Sequence, residues 1–266
     1  MAKGKILLSF DVEEFDFPRE RDGEISLEEG IKVSSAGLVK ILELLRRSEV
    51  KATFFVTGNF ARMNPKLVKE IVKDGHEVAS HGVDHFEPKK TDIAESRKMI
   101  EKVINGKVFG YRQPRMFKIS YEELKNSGYE YDSSVNPAFI PGRYNHFDVP
   151  RKPFLKKGIL EIPTSVATFL RVPLFWLALH LFPLRIYLRL ARMAVKKTGY
   201  FATYFHPWEF ADELMDYKEV PGYIKKNSGD KLVKRLEFLI SDLKKSGYSF
   251  ETYHDFTSGQ KLTFGV

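Results

Sequence analysis

The chain contains no cysteine. That absence excludes disulfide staples, a thiolate nucleophile and cysteine-ligated metal, so any transition metal must be held by histidine and carboxylate. It also lacks a hydrophobic run long enough to cross a bilayer. The most apolar stretch, Val166 to Val195, is interrupted by Arg171, His180, Arg185, Arg189 and Arg192. Its longest uncharged part, Val172 to Leu184 with His180 counted as neutral, is 13 residues, where a span needs ~20. The first apolar run, Ile6 to Phe10, is too short for a signal-peptide core and flows into Asp11-Val12-Glu13-Glu14 without a cleavage-like site, so a cytoplasmic protein is expected. No Gly/Ser- or Pro-rich linker and no internal repeat divides the chain, and a single domain over residues 1–266 is expected.

What is present reads as a soluble globular protein, with 43% hydrophobic and 29% charged residues. The net charge is +8, which suits nucleic acid or an anionic membrane surface. The lysines, however, spread along amphipathic helices and no recognition motif accompanies them. Solvated helix faces are therefore expected, with no nucleic-acid partner.

Short β-rich runs alternate with helical patterns, the signature of parallel βαβ units. Strands are expected at Lys5–Asp11, Ala52–Val56, His76–Ser80, Lys107–Tyr111, Tyr129–Asp132, Ile159–Ile162, Tyr200–Phe205 and Tyr248–Tyr253. Helices are expected from about Ser35 to Arg47, from Asn64-Pro65 to Gly75, from Asp92 to Ile104, after the capping box at Ser120, from Pro173 to Lys197, and from Asp230 to Ser246. Two long loops, Phe15 to Lys32 and Asn136 to Gly158, remain. The fold class expected is α/β, one barrel-like domain.

Polar residues stand where such a barrel keeps its active site. Asp11 and Asp132 end strands, and His81, Arg112 and His206 follow strand ends. At the C-terminal edge of a parallel barrel these ends converge. His81 and His85 are four residues apart, so a helical turn would put both on one side to share a metal; two exposed loop histidines would show the same spacing. Asp11 and Glu13 alternate past a buried strand, which points both the same way. One could serve as base and the other as a third ligand, with Glu14 the alternative carboxylate. Arg112 could orient the base by a bidentate contact. His206, between aromatics, could be a satisfied core histidine or face the mouth.

Six segments in this order resemble the polysaccharide deacetylase (NodB-homology) family: Ser9-Phe10-Asp11-Val12-Glu13, Ala52 to Val56, His81-Gly82-Val83-Asp84-His85, Tyr111-Arg112-Gln113-Pro114, Tyr131-Asp132-Ser133-Ser134, and Phe205-His206-Pro207-Trp208-Glu209. The last suggests a branch with a C-terminal His-Pro-Trp-Glu extension. The resemblance implies a distorted (β/α) barrel of about seven parallel strands with a divalent metal, Zn²⁺ by preference, at its mouth. It implies Asp11 as general base, His81 and His85 as ligands, and Arg112 steadying Asp11. His206 would then be general acid, with Asp132 fixing its tautomer. Two positions depart from the family pattern. Val12 stands where a second aspartate is common, which makes Glu13 the substitute ligand, and Gly82 stands where Ser or Thr is usual.

The function expected is metal-dependent removal of N-acetyl groups from an acetylated sugar, glycan or glycolipid precursor. The aromatic, apolar segment near Phe169 to Leu190 leaves open a peripheral membrane or lipid-linked substrate contact. Two rivals share the fold: a hydrolase of small ureide or cyclic-amide C–N bonds, with or without metal, and a non-catalytic carbohydrate or membrane-surface binding protein.

Overall fold

The computed structural model describes residues 3–89, 91–140 and 144–264. In chain order the elements are β1 (Lys5–Val12), α1 (Leu27–Ser48), β2 (Thr53–Val56), α2 (Gly58–Met63), α3 (Pro65–Lys73), β3 (Glu77–Ser80), α4 (Asp92–Ile104), β4 (Gly110–Tyr111), α5 (Tyr121–Asn126) and β5 (Tyr131–Asp132). There follow β6 (Phe139–Ile140), β7 (Tyr144–Asn145), β8 (Phe154–Lys156), β9 (Ile159–Glu161), α6 (Trp176–Leu181), α7 (Leu184–Thr198), β10 (Tyr200–Phe205), α8 (Gly222–Lys225), α9 (Asp230–Lys245), β11 (Ser249–Phe250) and α10 (Tyr253–Phe264).

The main sheet runs β10-β1-β2-β3-β4-β5-β9-β8. All its pairs are parallel except the last, β9 with β8. β11 adds a parallel pairing to the start of β1, where β2 has not yet begun. The expected seven parallel strands are thus present as a curled, distorted barrel. Its seam lies between β9 and β10 and is bridged by the loop after β9. There Ser165 N–H donates to the Ala202 carbonyl (2.9 Å) and Tyr200 O–H donates to that of Pro163 (2.8 Å).

Side-chain alternation divides β1 between two cores. Ile6, Leu8, Phe10 and Val12 join the large cluster shared with helix residues such as Leu38, Leu42 and Leu236. Leu7 points the other way, into a second cluster with Phe55, Tyr131, Tyr200, Ala202 and Tyr253. Val12 therefore faces the helix layer, and the carboxylates Asp11 and Glu13 share the inner face.

Several boundaries differ from the sequence reading. α1 begins at Leu27, inside the expected loop, because Ser26 Oγ caps it by accepting from Glu29 N–H (3.1 Å). A 3-10 turn at Phe17–Arg21 occupies more of that loop. The expected helix from Pro173 to Lys197 is two helices, since Pro183 lacks an N–H and interrupts the ladder. α7 turns Tyr187, Leu188, Ala191, Ala194 and Val195 inward, and no helix among the described residues is long and apolar enough to cross a membrane. The last strand is only two residues long, and α10 follows it, with Thr252 Oγ1 accepting from Asp255 N–H (3.0 Å) at its start. The expected loop 136–158 holds β6, β7 and β8, while its residues 141–143 lie outside the described residues.

Candidate active site

The strand register brings the candidate residues to one rim. Phe10 pairs with Phe205, Val12 with Val56, Val56 with Ser80, and Ser80 with Tyr111. Asp11, Glu13, His81, Arg112 and His206 consequently leave the sheet at the same level.

Arg112 is fully buried, and each of its five N–H groups finds an acceptor. Nε donates to the Ser133 carbonyl (3.0 Å), Nη1 to Ser9 Oγ (3.0 Å) and Asp11 Oδ1 (2.5 Å), and Nη2 to Ser133 Oγ (3.1 Å) and Tyr253 O–H (3.2 Å). Its guanidinium also lies 3.9 Å from the centre of the Phe55 ring. The contact with Asp11 is therefore one-armed, not the expected bidentate fork, because the other N–H groups serve the barrel. Burial works against the guanidinium charge, and Asp11 more than offsets it, so the arginine pKa is raised.

Glu13, His81 and His85 form a buried group whose candidate ligand atoms all lie within 4.8 Å of one another. Glu13 Oε2 stands 3.0 Å from His85 Nε2 and 3.3 Å from His81 Nε2. Atoms sharing one tetrahedral ion at ~2.0–2.1 Å stand ~3.3 Å apart, so this spacing suits a metal. Two further observations support the fit. Glu13 Oε2 is buried and has no hydrogen-bond partner, while Oε1 accepts from Trp208 Nε1–H (3.2 Å). Both imidazoles have Nδ1 tied to an acceptor, His81 to the Arg112 carbonyl (2.8 Å) and His85 to Asp16 Oδ2 (3.0 Å), which leaves Nε2 for an ion. Burial pushes the Glu13 pKa up, and His85, His206 and His81 outweigh it, holding the carboxyl well below the usual range. Burial lowers the His85 pKa, yet Glu13 and Asp16 raise it to about 9.

The segment from His81 to His85 is a bent loop, not the helical turn its spacing suggested. Gly82 turns it at φ +72°, a conformation that favours glycine over the family's usual Ser or Thr. The rings nonetheless stack at 5.6 Å and 27°. Glu14 has a different task. Its oxygens accept from Thr57 Oγ1 (2.7 Å) and from His85 N–H (3.1 Å), so it anchors the histidine loop, and its own pKa is raised by burial.

His206 lies on the rim between aromatic groups. Trp208 stacks on it at 5.0 Å, and Trp176 and Tyr204 meet it edge-on at 5.5 and 5.6 Å. Nε2 stands 4.0 Å from Glu13 Oε1, and Nδ1 faces Glu209 Oε1 at 2.9 Å. Burial lowers its pKa, but Glu13 and Glu209 raise it further, for a net upward shift. The partner of Nδ1 is thus Glu209 and not Asp132. Asp132 lies opposite Glu161 on the β5–β9 ladder and binds Ser134 Oγ–H (2.7 Å) and N–H (3.2 Å). Burial and Asp132 push the Glu161 pKa well up, and burial raises that of Asp132, with Glu161 and Ser134 working against the rise. Sequence reasoning assigned no role to Glu209, Trp208, Asp16 or His180. The three-residue step from His206 to Glu209 across Pro207 was the available signal, since it matches a capping reach-back.

A cleft of about 310 Å³ opens over these groups. Asp11, Glu13, His81, His85 and His206 line its floor, with Phe17, Phe175, Trp176, Trp208 and Tyr223 among its apolar walls and Asp16, Glu20, Arg21 and Arg115 among its charged ones.

Fold and site together define a parallel barrel whose cleft offers a carboxylate–bis-imidazole group between an arginine-held aspartate and a carboxylate-held histidine. Residues 3–131 match the family model of polysaccharide deacetylase, and residues 133–252 match a domain of unknown function (DUF3473). The likeness to the polysaccharide deacetylases thus rests on residues 3–131, just under half of the chain. A peptidoglycan-N-acetylglucosamine deacetylase of Bacillus cereus is 32% identical over 103 residues, covering 34% of this chain and 46% of that protein. The chain spans 20% and 46% of the lengths of the first two curated relatives it matches. Among solved structures, a Mycobacterium smegmatis protein assigned to the polysaccharide deacetylases superposes with a TM-score of 0.68 at 18% identity, covering 98% of this chain and 91% of that one. Puue allantoinase does so with a TM-score of 0.67 at 15% identity over the same shares. At those identities the likeness is one of fold.

Proposed function

We propose that this chain is a divalent-metal-dependent hydrolase that removes N-acetyl groups from an acetylated sugar. The observation that carries the reading is Glu13 Oε2, a buried carboxylate oxygen without a hydrogen-bond partner that faces Nε2 of both His81 and His85. A buried carboxylate oxygen is costly unless something positive stands beside it, a proton on His85 or an ion in its place. Two imidazoles and one carboxylate with an open position suit Zn²⁺. A divalent ion there supplies Lewis acidity, polarising the acyl carbonyl and making water a better nucleophile near neutral pH.

The chain's own residues do the rest. Asp11 takes the proton of the attacking water, and Arg112 keeps its carboxylate aimed into the cleft. An amine leaves readily only when protonated. His206 gives that proton through Nε2, because Nδ1 is held by Glu209. The aromatic wall of Phe175, Trp176 and Tyr223 presents flat apolar faces to a sugar ring, while the charged residues face its hydroxyls. N-acetylglucosamine, the sugar in the name of the Bacillus cereus relative, is the first substrate to test.

The test couples metal analysis of purified protein to acetate release from N-acetylglucosamine oligomers. One ion per chain and release that stops on chelation and returns with Zn²⁺ are expected. A metal-loaded protein that releases no acetate from any N-acetylated sugar contradicts the proposal.

A further inference from the structure

Beyond the cleft, behind Glu209, lies a second imidazole that the reaction above does not use. His180 in α6 is completely buried, and so is Glu209. Its Nε2 stands 2.7 Å from Glu209 Oε2, and its Nδ1 stands 3.1 Å from the Ile224 carbonyl. The other carboxylate oxygen, Oε1, accepts from His206 N–H (2.6 Å) and faces His206 Nδ1 (2.9 Å). One buried carboxylate therefore joins two imidazoles in a line that ends at the cleft.

We infer that His180 is a positioning residue, which locks Glu209 as a pure acceptor and so fixes the His206 proton on Nδ1, leaving Nε2 to exchange protons with substrate. This rests on the role proposed above for His206.

Counting hydrogens leads there. A carbonyl only accepts, so His180 Nδ1 carries a hydrogen. Glu209 faces N–H groups on every side, the state that favours its carboxylate, and its pKa is lowered against burial by His180 and His206. His180 Nε2 then carries a hydrogen as well, and His206 Nδ1 carries the third. The arrangement is held from outside. Asn227 Nδ2–H donates to the His180 carbonyl (2.6 Å), and Arg235 donates to the carbonyls of Leu179 (2.8 Å) and Phe182 (2.7 Å). A buried carboxylate–imidazole pair is an expensive way to fill space, and apolar side chains of similar size often do it at least as well. The expense is explained if the pair sets a tautomer. All three residues, with the groups that brace them, lie within 133–252, so that segment would supply the proton-donating wall of the cleft.

The chain carries seven histidines, and ¹⁵N labelling of their rings with long-range proton–nitrogen correlation reads each tautomer independently of activity. Signals are assigned with His180→Gln and His206→Gln. In the unaltered protein both ring nitrogens of His180 should be of the protonated type, and Nδ1 of His206 should carry its hydrogen throughout the neutral range. In His180→Leu the His206 signals should move to mixed tautomers, and kcat on an N-acetyl sugar should fall at least about tenfold with KM little changed. His180→Gln, which keeps one N–H toward Glu209, should recover much of both. A singly protonated His180, or an Nε2–H tautomer of His206, read in the unaltered protein, overturns the inference. Correct tautomers in a protein that hydrolyses no N-acetyl sugar would instead count against the proposed reaction.

Discussion

The two sides of the cleft are built in opposite ways. On the Asp11 side, the ends of β1 and β4 deliver an aspartate and an arginine directly from the sheet, and the arginine spends all five N–H groups on β1, on Ser133 just past β5 and on Tyr253. On the His206 side, the imidazole leaves β10 but is held by Glu209 from a 3-10 turn and, behind it, by His180 from an inserted helix. The first arrangement is part of the barrel's stability. The second is a bracket attached to it. Changes on the Asp11 side should therefore cost stability as well as turnover, and changes on the His206 side mainly turnover.

The sharpest break of that comparison lies between the two sides, at the metal group. Replacing both His81 and His85 by alanine should abolish bound metal and turnover together while circular dichroism stays native. Unchanged metal stoichiometry in this double variant would remove the ion from the account.

Next in size is Arg112→Ala. It leaves Asp11 buried without its counter-charge, a loss that typically costs ~3–5 kcal/mol. Denaturant unfolding should show that drop, whereas Glu209→Gln should lose less stability and keep the midpoint closer to the parent. Equal losses would erase the contrast between barrel and bracket.

A smaller effect is expected from protons competing with metal. In the metal-free protein Glu13 and Asp16 hold a proton on His85 up to about pH 9. Metal must displace it, so apparent affinity should rise with pH, by up to about tenfold per unit, and level off near that value. Calorimetric titration with Zn²⁺ at several pH values checks this, and an affinity independent of pH would mean His85 is not a ligand.

The smallest effect lies far from the cleft. Burial, with help from Lys51, lowers the His76 pKa from 6.5 to about 4. Its neutral form is favoured in the folded state, so its contribution is complete above pH 6.5 and is lost as pH falls toward 4. The parent should lose stability over that window at up to about 1.4 kcal/mol per pH unit, and His76→Gln should lose less.

The same contrast explains what could be read from the sequence. On the Asp11 side local rules suffice. A buried strand ending in Asp-Val-Glu fixes which carboxylates share a face, and the strand ends set the rim, so the gathering of Asp11, Glu13, His81 and Arg112 at one level was legible. Asp132 ends a strand in the same manner, yet register places it against Glu161, which no local pattern announces. On the His206 side the bracket depends on contacts between distant segments. His180 lies 26 positions before His206, in what read as one long helix until Pro183 divided it. Glu209 was the exception, near enough for its capping spacing to have been noticed.

The central claim is that the two sides perform different proton transfers, and leaving-group dependence tests it most directly. Asp11→Asn and His206→Ala would each be assayed on an N-acetyl sugar and on an acetate ester with a good leaving group. Loss of the base should depress both substrates alike, by on the order of 10²–10⁴-fold. Loss of His206 should depress the amide by a similar factor and spare the ester, whose leaving group needs no proton. Equal losses on amide and ester in His206→Ala would contradict the account, and would make His206 a binding group or an oxyanion donor instead.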